Sequence, residues 1–426
     1  MARPNPPSCI GMNPDCPQPA SRLAEVRYDI RGSLSQRARE LELQGVDLLR
    51  LNIGNPARFG LHAPEALREA MAAHLRDADA YGHELGLEAA RVALVQDAAA
   101  RGVAVADVEH VFIGNGVSEL IDMALRALLE PGDEVLLPRP DYPLWSAATR
   151  LNGGVPRYYD CPAARGHLPD PEEIASLVTP RTRALVLINP NNPTGAVYPR
   201  PLLEQLAEVA ARHRLLLLSD EIYEGIVYDG AQSLPLGSVA GDVACLSFGG
   251  LSKVWRACGY RCGWLLLSGG ARELRPLRDA LQLLAALRLC ANQLGQWAIP
   301  AALERRRDIE SMTAPGGRLH ATRAALIEGV EASEFLELVA PAGAIYGFPA
   351  VRRDVLPRFD DQSFALDLLE QEHVLLTPGS GFNVMDSRHL RLTLLPPPAV
   401  MTEVLRRIER ALARRAEAAI PRVARG

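Results

Sequence analysis

The chain contains a single lysine, Lys253, while its other 45 basic side chains are all arginine. On a solvated surface the two types exchange cheaply, but an arginine guanidinium keeps its proton and cannot attack a carbonyl. A lone lysine therefore marks a place where a free primary amine is needed, as in forming an imine. The neighbouring motifs supply further reactive groups. ALVLIN (184–189) ends in Asn189-Pro190-Asn191-Asn192-Pro193-Thr194-Gly195. LLLLSD (215–220) ends at Asp220 and continues as Glu221-Ile222-Tyr223. ACLSFG (244–249) leads through Gly250-Leu251-Ser252 to Lys253, with Arg261 eight residues on. Each polar cluster directly follows an apolar run, and in open α/β sheets ligands bind beyond the carboxyl ends of strands. An amine, a carboxylate, a phenol, an amide and a guanidinium are thus sent to one cleft.

These groups suit one cofactor. A buried carboxylate can keep a pyridine nitrogen protonated, which turns the ring into an electron sink. A tyrosine hydroxyl and an asparagine amide can hold a phenolic oxygen. A lysine forms the imine, and an arginine with nearby hydroxyls and helix N-terminal amides binds a phosphate. Together they describe a site for pyridoxal 5′-phosphate.

The elements that must carry these groups are legible in outline. From about 108 to 268, the runs VFIG (111–114), EVLLP (134–138) and WLLLS (264–268) join the three above. Helical patterns such as SELIDMALRALLE (118–130) and PLLEQLAEVAARHR (201–214) lie between them. Strands without polar alternation are covered on both faces. The class expected is α/β, with a large domain whose mostly parallel sheet is sandwiched by helices. After about 300, a helix through 317–330, GAIYGFP, a helix near 363–372, VLLTPG, HLRLTLL and a closing helix near 400–419 suggest a smaller α+β lobe. The expected layout is a proline-rich, loosely packed tail over 1–22, a segment over 23–60 packing with the small lobe, a large domain over 61–300 and a small one over 301–426.

Composition narrows the function classes. With 48% apolar and 23% charged residues, the chain is an ordinary globular sequence, which excludes global disorder. The net charge of −5, with basic residues scattered throughout, argues against nucleic acid as a partner. No apolar run approaches the ~20 residues needed to cross a bilayer. Seven cysteines without a CxxC pair or zinc spacing imply a reduced, cytoplasmic protein without a bound metal.

The ordered series of motifs resembles fold-type I, class I/II aminotransferases. NPNNPTG, SDEIY and GLSKVWRACGYRCGW carry the likeness, with LNIGNP, IGNGVSEL, PRPDYPLW, PGGRL and HLRLTLL in the right order over roughly 25–400. Within that family the chain is most similar to bacterial glutamate–pyruvate (alanine) aminotransferases, whose RYDIRG segment reappears at 27–32. The resemblance implies that Lys253 forms the imine, Asp220 partners the pyridine nitrogen, and Tyr223 and Asn192 face the phenolic oxygen. It implies that Tyr142 stacks on the ring and that Gly116, Val117, Ser118, Ser252 and Arg261 bind the phosphate. Arg391 would clamp the substrate's α-carboxylate, with Gly54 and Asn192 beside it. Tyr81 would reach the phosphate site of a second subunit, which makes a homodimer the expected partner state. Tyr28 and Arg31 stand between contact with the substrate and packing of the lobe.

Gly250 departs from the pattern, because many family members place a phosphate-binding Ser or Thr three residues before the lysine; Ser252 is the hydroxyl left to supply that contact. Asn192-Pro193 matches a bond the family usually makes cis. Cys258 and Cys262 flank Arg261 and read as small packing residues. The implied reaction moves an amino group between a small amino acid, alanine or glutamate, and a 2-oxo acid. A lyase, cyclising synthase or oxidative enzyme would share the first steps, since fold does not fix reaction. A regulator would need a DNA-binding module for which the 22-residue tail holds no helix-turn-helix pattern.

Lys253→Arg should yield a folded protein without the visible absorbance of bound cofactor and without turnover. Retained absorbance with activity resistant to borohydride would sink the assignment, because no second lysine can take over.

Overall fold

The structure, a computed structural model, describes residues 17–26 and 32–419. Seven strands form the central sheet: β1 (Val111–Gly114), β2 (Glu134–Arg139), β3 (Val155–Asp160), β4 (Thr182–Ile188), β5 (Leu216–Asp220), β6 (Cys245–Gly250) and β7 (Gly263–Ser268). Their spatial order is β3-β2-β4-β5-β6-β7-β1. The pairs from β3 through to β6 are parallel, and β7 runs antiparallel to both β6 and β1. Every residue of β5, β6 and β7 is buried. Such strands need no polar alternation because helices cover both faces. The helices Val117–Leu128, Leu144–Leu151 and Ala271–Leu287 cover one face, and Pro171–Leu177 and Arg200–His213 cover the other.

Six of the seven strands match the apolar runs read from the sequence. The edge strand β3 does not, since its residues VPRYYD alternate between buried and half-exposed and include Pro156. Proline cannot donate to a ladder and is tolerated at such an edge.

Beyond the sheet, the helices Arg318–Glu331, Asp361–Glu372 and Pro398–Ala419 pack with a three-stranded antiparallel sheet of Tyr346–Gly347, Leu390–Thr393 and Thr377–Pro378. Pro398 opens the last helix, where its missing N–H would have had no partner and its fixed φ suits the first turn. Leu49–Arg50 pairs in parallel with Val374–Leu375, and Leu34, Ala38 and Leu41 of the helix Ser33–Leu43 join the same apolar core as Phe364 and Leu368. The early segment is therefore built into this lobe. Among the described residues no helix is long and apolar enough to cross a membrane.

One buried carboxyl joins the sheet to this lobe. The backbone N–H of Asp141, just after β2, donates to Phe382 O at 3.0 Å. Asn383 Nδ2 donates to Asp141 Oδ1 at 2.9 Å, while Asp141 Oδ2 is buried without a partner. Burial pushes this carboxyl up to about 7. An unfolded aspartate titrates near ~3.9, so between about pH 4 and 7 the folded chain holds a proton that the unfolded chain has lost. Its contribution to stability is complete below that window and is lost as pH rises through it.

Asp141→Asn keeps the shape and removes the ionisation. Thermal melts from pH 4 to 8 should therefore show the variant gaining several degrees on the parent as pH rises. A constant difference across that range would mean that Asp141 does not titrate in the folded chain.

Candidate active site

The carboxyl ends of β4, β5 and β6 and the C-terminal lobe enclose a cavity of about 660 Å³. Lys253, Asp220, Tyr223, Asn192, Tyr142, Val117, Ser118, Ser252, Arg261, Arg391 and Gly54 all line it. Gly116 borders it from behind Arg261. Tyr81 does not line the cavity of its own chain and is 82% exposed. Tyr28 and Arg31 lie outside the described residues.

Lys253 follows the turn after β6, and its Nζ donates to Gly54 O at 2.7 Å. Cys258 Sγ stands 3.9 Å from that Nζ and 2.8 Å from Ser252 O. Cys258 is thus half-buried on the cavity wall rather than a packing residue; Cys262 alone fits that reading, at 1% exposure. Gly250 also has a structural cause. A Cβ there would sit 3.0 Å from Cys262 O, just before β7, and 3.1 Å from Gly263 Cα, so a side chain at this position is tight against backbone.

Asp220 ends β5 and is fully enclosed. Trp145 Nε1 donates to its Oδ2 at 3.1 Å, and the Ile222 N–H reaches Oδ1 at 3.3 Å. Burial pushes the Asp220 carboxyl up to about 6, with the indole hydrogen bond pulling the other way. A carboxylate desolvated in this manner favours a cation, or a ring N–H⁺, placed against it.

Arg391 lies on the strand Leu390–Thr393 and is 2% exposed. Its Nη1 donates to Asn192 Oδ1 at 2.9 Å and its Nη2 to Asn52 O at 2.5 Å. The rings of Tyr346 and Phe382 stand 4.2 and 4.7 Å from the guanidinium carbon. Its Nε is buried without a partner. A buried guanidinium on the wall of a cavity is suited to a carboxylate entering it.

At the other end, the helix Val117–Leu128 points its first turn at the cavity, where backbone N–H groups lack intrahelical partners. Gly116, at φ 87°, precedes it, and a Cβ on Gly116 would lie 2.4 Å from Arg261 Nη2. Arg261 is held over this turn by donating from Nη1 to Cys258 O at 3.0 Å and from Nη2 to Asn115 O at 3.2 Å. Helix amides and a fixed guanidinium make an anion cradle. The peptide bonds Asn192-Pro193, Asn189-Pro190 and Arg139-Pro140 are cis, and only the first belongs to the sequence expectation. An amine, a buried carboxylate and an anion cradle fit a pyridine aldehyde phosphate, and the Arg391 fork fits a carboxylate beside it.

The model of the family "Aminotransferase class I and II" matches residues 46–408. The chain is 45% identical over 378 residues to an alanine aminotransferase of Mycobacterium tuberculosis, covering 88% of each protein. It is 43% identical over 377 residues to a glutamate-pyruvate aminotransferase of Escherichia coli, covering 88% of this chain and 93% of that one. A crystal structure of an aminotransferase from Escherichia coli superposes with a TM-score of 0.91 at 42% identity, covering 93% of this chain and 98% of the other. The chain belongs to the class I and II aminotransferases, and it is a pyridoxal-phosphate-dependent enzyme of fold type I.

Sequence reasoning missed Trp145, Tyr346, Phe382, Asn52 and Thr377. Trp145 stood three residues after Tyr142 in PRPDYPLW, and a buried indole usually finds an acceptor for its N–H. Tyr346 stood in GAIYGFP, where nothing local reveals that its strand runs beside Arg391.

Trp145→Phe removes the indole donor and keeps a ring. The Asp220 carboxyl should then move further up from about 6, and it can be followed by carboxyl NMR in protein stripped of cofactor. A midpoint that stays or falls would show that the indole does not hold the carboxylate.

Proposed function

We propose that this chain is an alanine–glutamate transaminase. It would take the amino group of alanine to give pyruvate and pass it to 2-oxoglutarate to give glutamate. The observation that carries the reading is the buried guanidinium of Arg391, which lines the same cavity as the chain's one lysine. The relatives named for alanine and for glutamate and pyruvate, at 45% and 43% identity, support the substrate class.

Pyridoxal phosphate, when bound, supplies an aldehyde for the amine and a ring that accepts the electron pair left by the α-proton. In this reading Arg391 grips the substrate carboxylate and turns the α-carbon toward Lys253. The Nζ of Lys253 then takes the α-proton as general base, having exchanged its contact with Gly54 O for the substrate. Asp220 holds the proton at the pyridine nitrogen, fixed by Trp145 behind it. Tyr223 and Asn192 face the phenolic oxygen, and Tyr142 stacks on the ring. Ser118, Ser252, Arg261 and the amides after Gly116 hold the phosphate.

The same reading sets a large domain over 61–300 and a small one over 301–426, with 23–60 joined to the latter. It also makes the active unit a homodimer. The support for that is apolar surface left in solvent: Tyr81, Leu283, Leu287 and Leu289 are each more than half exposed.

Alanine alone should release one equivalent of pyruvate per site and then stop until 2-oxoglutarate is added, the pattern of a ping-pong exchange. Continued turnover on alanine without an acceptor would assign a different reaction. Rapid reaction only with aromatic or guanidino donors would overturn the substrate class and leave the transaminase reading standing.

A further inference from the structure

Tyr346 touches both Arg391 and Tyr223. Its strand, Tyr346–Gly347, pairs antiparallel with Leu392–Thr393, immediately after Arg391. The ring lies 4.2 Å from the Arg391 guanidinium carbon on one side, with Phe382 at 4.7 Å. On the other side it meets the Tyr223 ring edge-on, with centroids 5.8 Å apart. The Tyr223 hydroxyl donates to the Tyr346 hydroxyl at 3.2 Å. A Cβ on Gly54 would sit 2.2 Å from that same Tyr346 oxygen, so a glycine is what lets the hydroxyl into the cavity beside the carbonyl that receives Lys253.

We propose that Tyr346 is a positioning residue for both halves of the site, its ring holding the Arg391 guanidinium and its hydroxyl setting the Tyr223 hydroxyl. The inference rests on the reading that Arg391 takes the substrate carboxylate and Tyr223 the phenolic oxygen. Two separate features of the side chain do the two tasks. The ring face offers electron density to a cation that has little water around it, where such contacts are strongest. It also packs against the guanidinium, which, with Phe382 beside it and its Nη1 and Nη2 hydrogen-bonded, is held in one place on the cavity wall.

The hydroxyl acts on Tyr223. An acceptor placed in the cavity draws the Tyr223 hydrogen away from Tyr346, and Tyr346 can then donate to the Tyr223 oxygen in turn. A hydroxyl that receives a hydrogen bond is a stronger donor itself. The two phenols are suited to that order. Burial alone would push both up, and it holds Tyr223 well above its ordinary value. At Tyr346 the charges of Arg391 and Lys253, with the hydrogen bond received from Tyr223, outweigh burial and keep the group below its ordinary value.

The test uses the holoenzyme and two variants. In Tyr346→Phe the ring stays and the hydroxyl goes. The pH titration of the bound cofactor's visible absorbance should shift upward by roughly 0.5 unit, as the phenolic oxygen's anion loses support. The affinity for propionate, an unreactive carboxylate read by the same absorbance, should stay within about twofold, because the cation keeps its aromatic face. In Tyr346→Leu the propionate Kd should rise about tenfold as well, the loss of a desolvated cation–ring contact. An unmoved titration in Tyr346→Phe overturns the hydroxyl's role, and an unmoved Kd in Tyr346→Leu overturns the ring's. If the leucine variant does not fold, the titration of the phenylalanine variant decides alone. Arg391→Gln separates this inference from the reading beneath it. Lost propionate binding there, with normal binding in Tyr346→Leu, sinks only the role of Tyr346. Retained binding in Arg391→Gln sinks the carboxylate assignment itself.

Discussion

A carboxylate and a guanidinium are buried at one cavity with little water to solvate either, and most of the fold serves to tolerate them. An isolated ion moved into a low-dielectric interior loses several kcal/mol of solvation even after relaxation. Asp220 meets this cost with one indole N–H and one backbone N–H, neither of which carries charge. Arg391 meets it with an amide oxygen, a backbone carbonyl and two aromatic faces, again all uncharged. Among the described residues neither ion is joined in a salt bridge, and the opposite charge that bears on Asp220 is that of Lys253. The attraction of each is thereby kept for what enters the cavity, which is how a preorganised site gains its strength.

The sheet explains how such ions reach the interior at all. The inner strands are mostly apolar and buried along their length, with only small hydroxyls such as Ser219 and Ser247 inside them, so ionisable groups come at or after the strand ends, at Asp220 and after Gly250. Backbone then has to come close to backbone and to ligand. Gly250 is bare against Cys262 O, Gly116 is bare beneath Arg261, and Gly54 is bare against Tyr346. A methyl group on Gly54 or Gly116 would displace a side chain that lines the cavity, and one on Gly250 would crowd the backbone beside it. The glycines therefore belong to the site as much as the charged residues do.

What the sequence revealed follows from the same physics. Apolar runs ending in polar residues are local patterns, and six of the seven strands were legible from them. The edge strand β3 was not, because half of it faces solvent and Pro156 breaks the pattern. The polar groups at strand ends, Lys253, Asp220, Asn192 and Tyr223, were legible as well, since chemistry needs those types at those places. Residues acting through another residue were not. Trp145 stands 75 residues from Asp220 in sequence and Tyr346 stands 123 from Tyr223, and no spacing rule spans such gaps. Cys258 looked like packing because a small thiol beside an arginine gives no hint of which way it points.

The fixing of Arg391 has a further consequence for the order of events. Its Nη1 is tied to Asn192 at the end of β4, and its Nη2 to Asn52 in the early segment and to Thr377 in the C-terminal lobe. Three stretches far apart in sequence must therefore be in place before the guanidinium has one direction. Asp141 adds a fourth tie, from the loop after β2 to Phe382 and Asn383, and Phe382 is itself one of the two rings on Arg391. The direction of the guanidinium and the joining of sheet and lobe are therefore set together. The rest of the wall, with Gly54, Tyr142 and Cys258 in it, is laid out around a cation whose position the sheet, the early segment and the C-terminal strands fix between them.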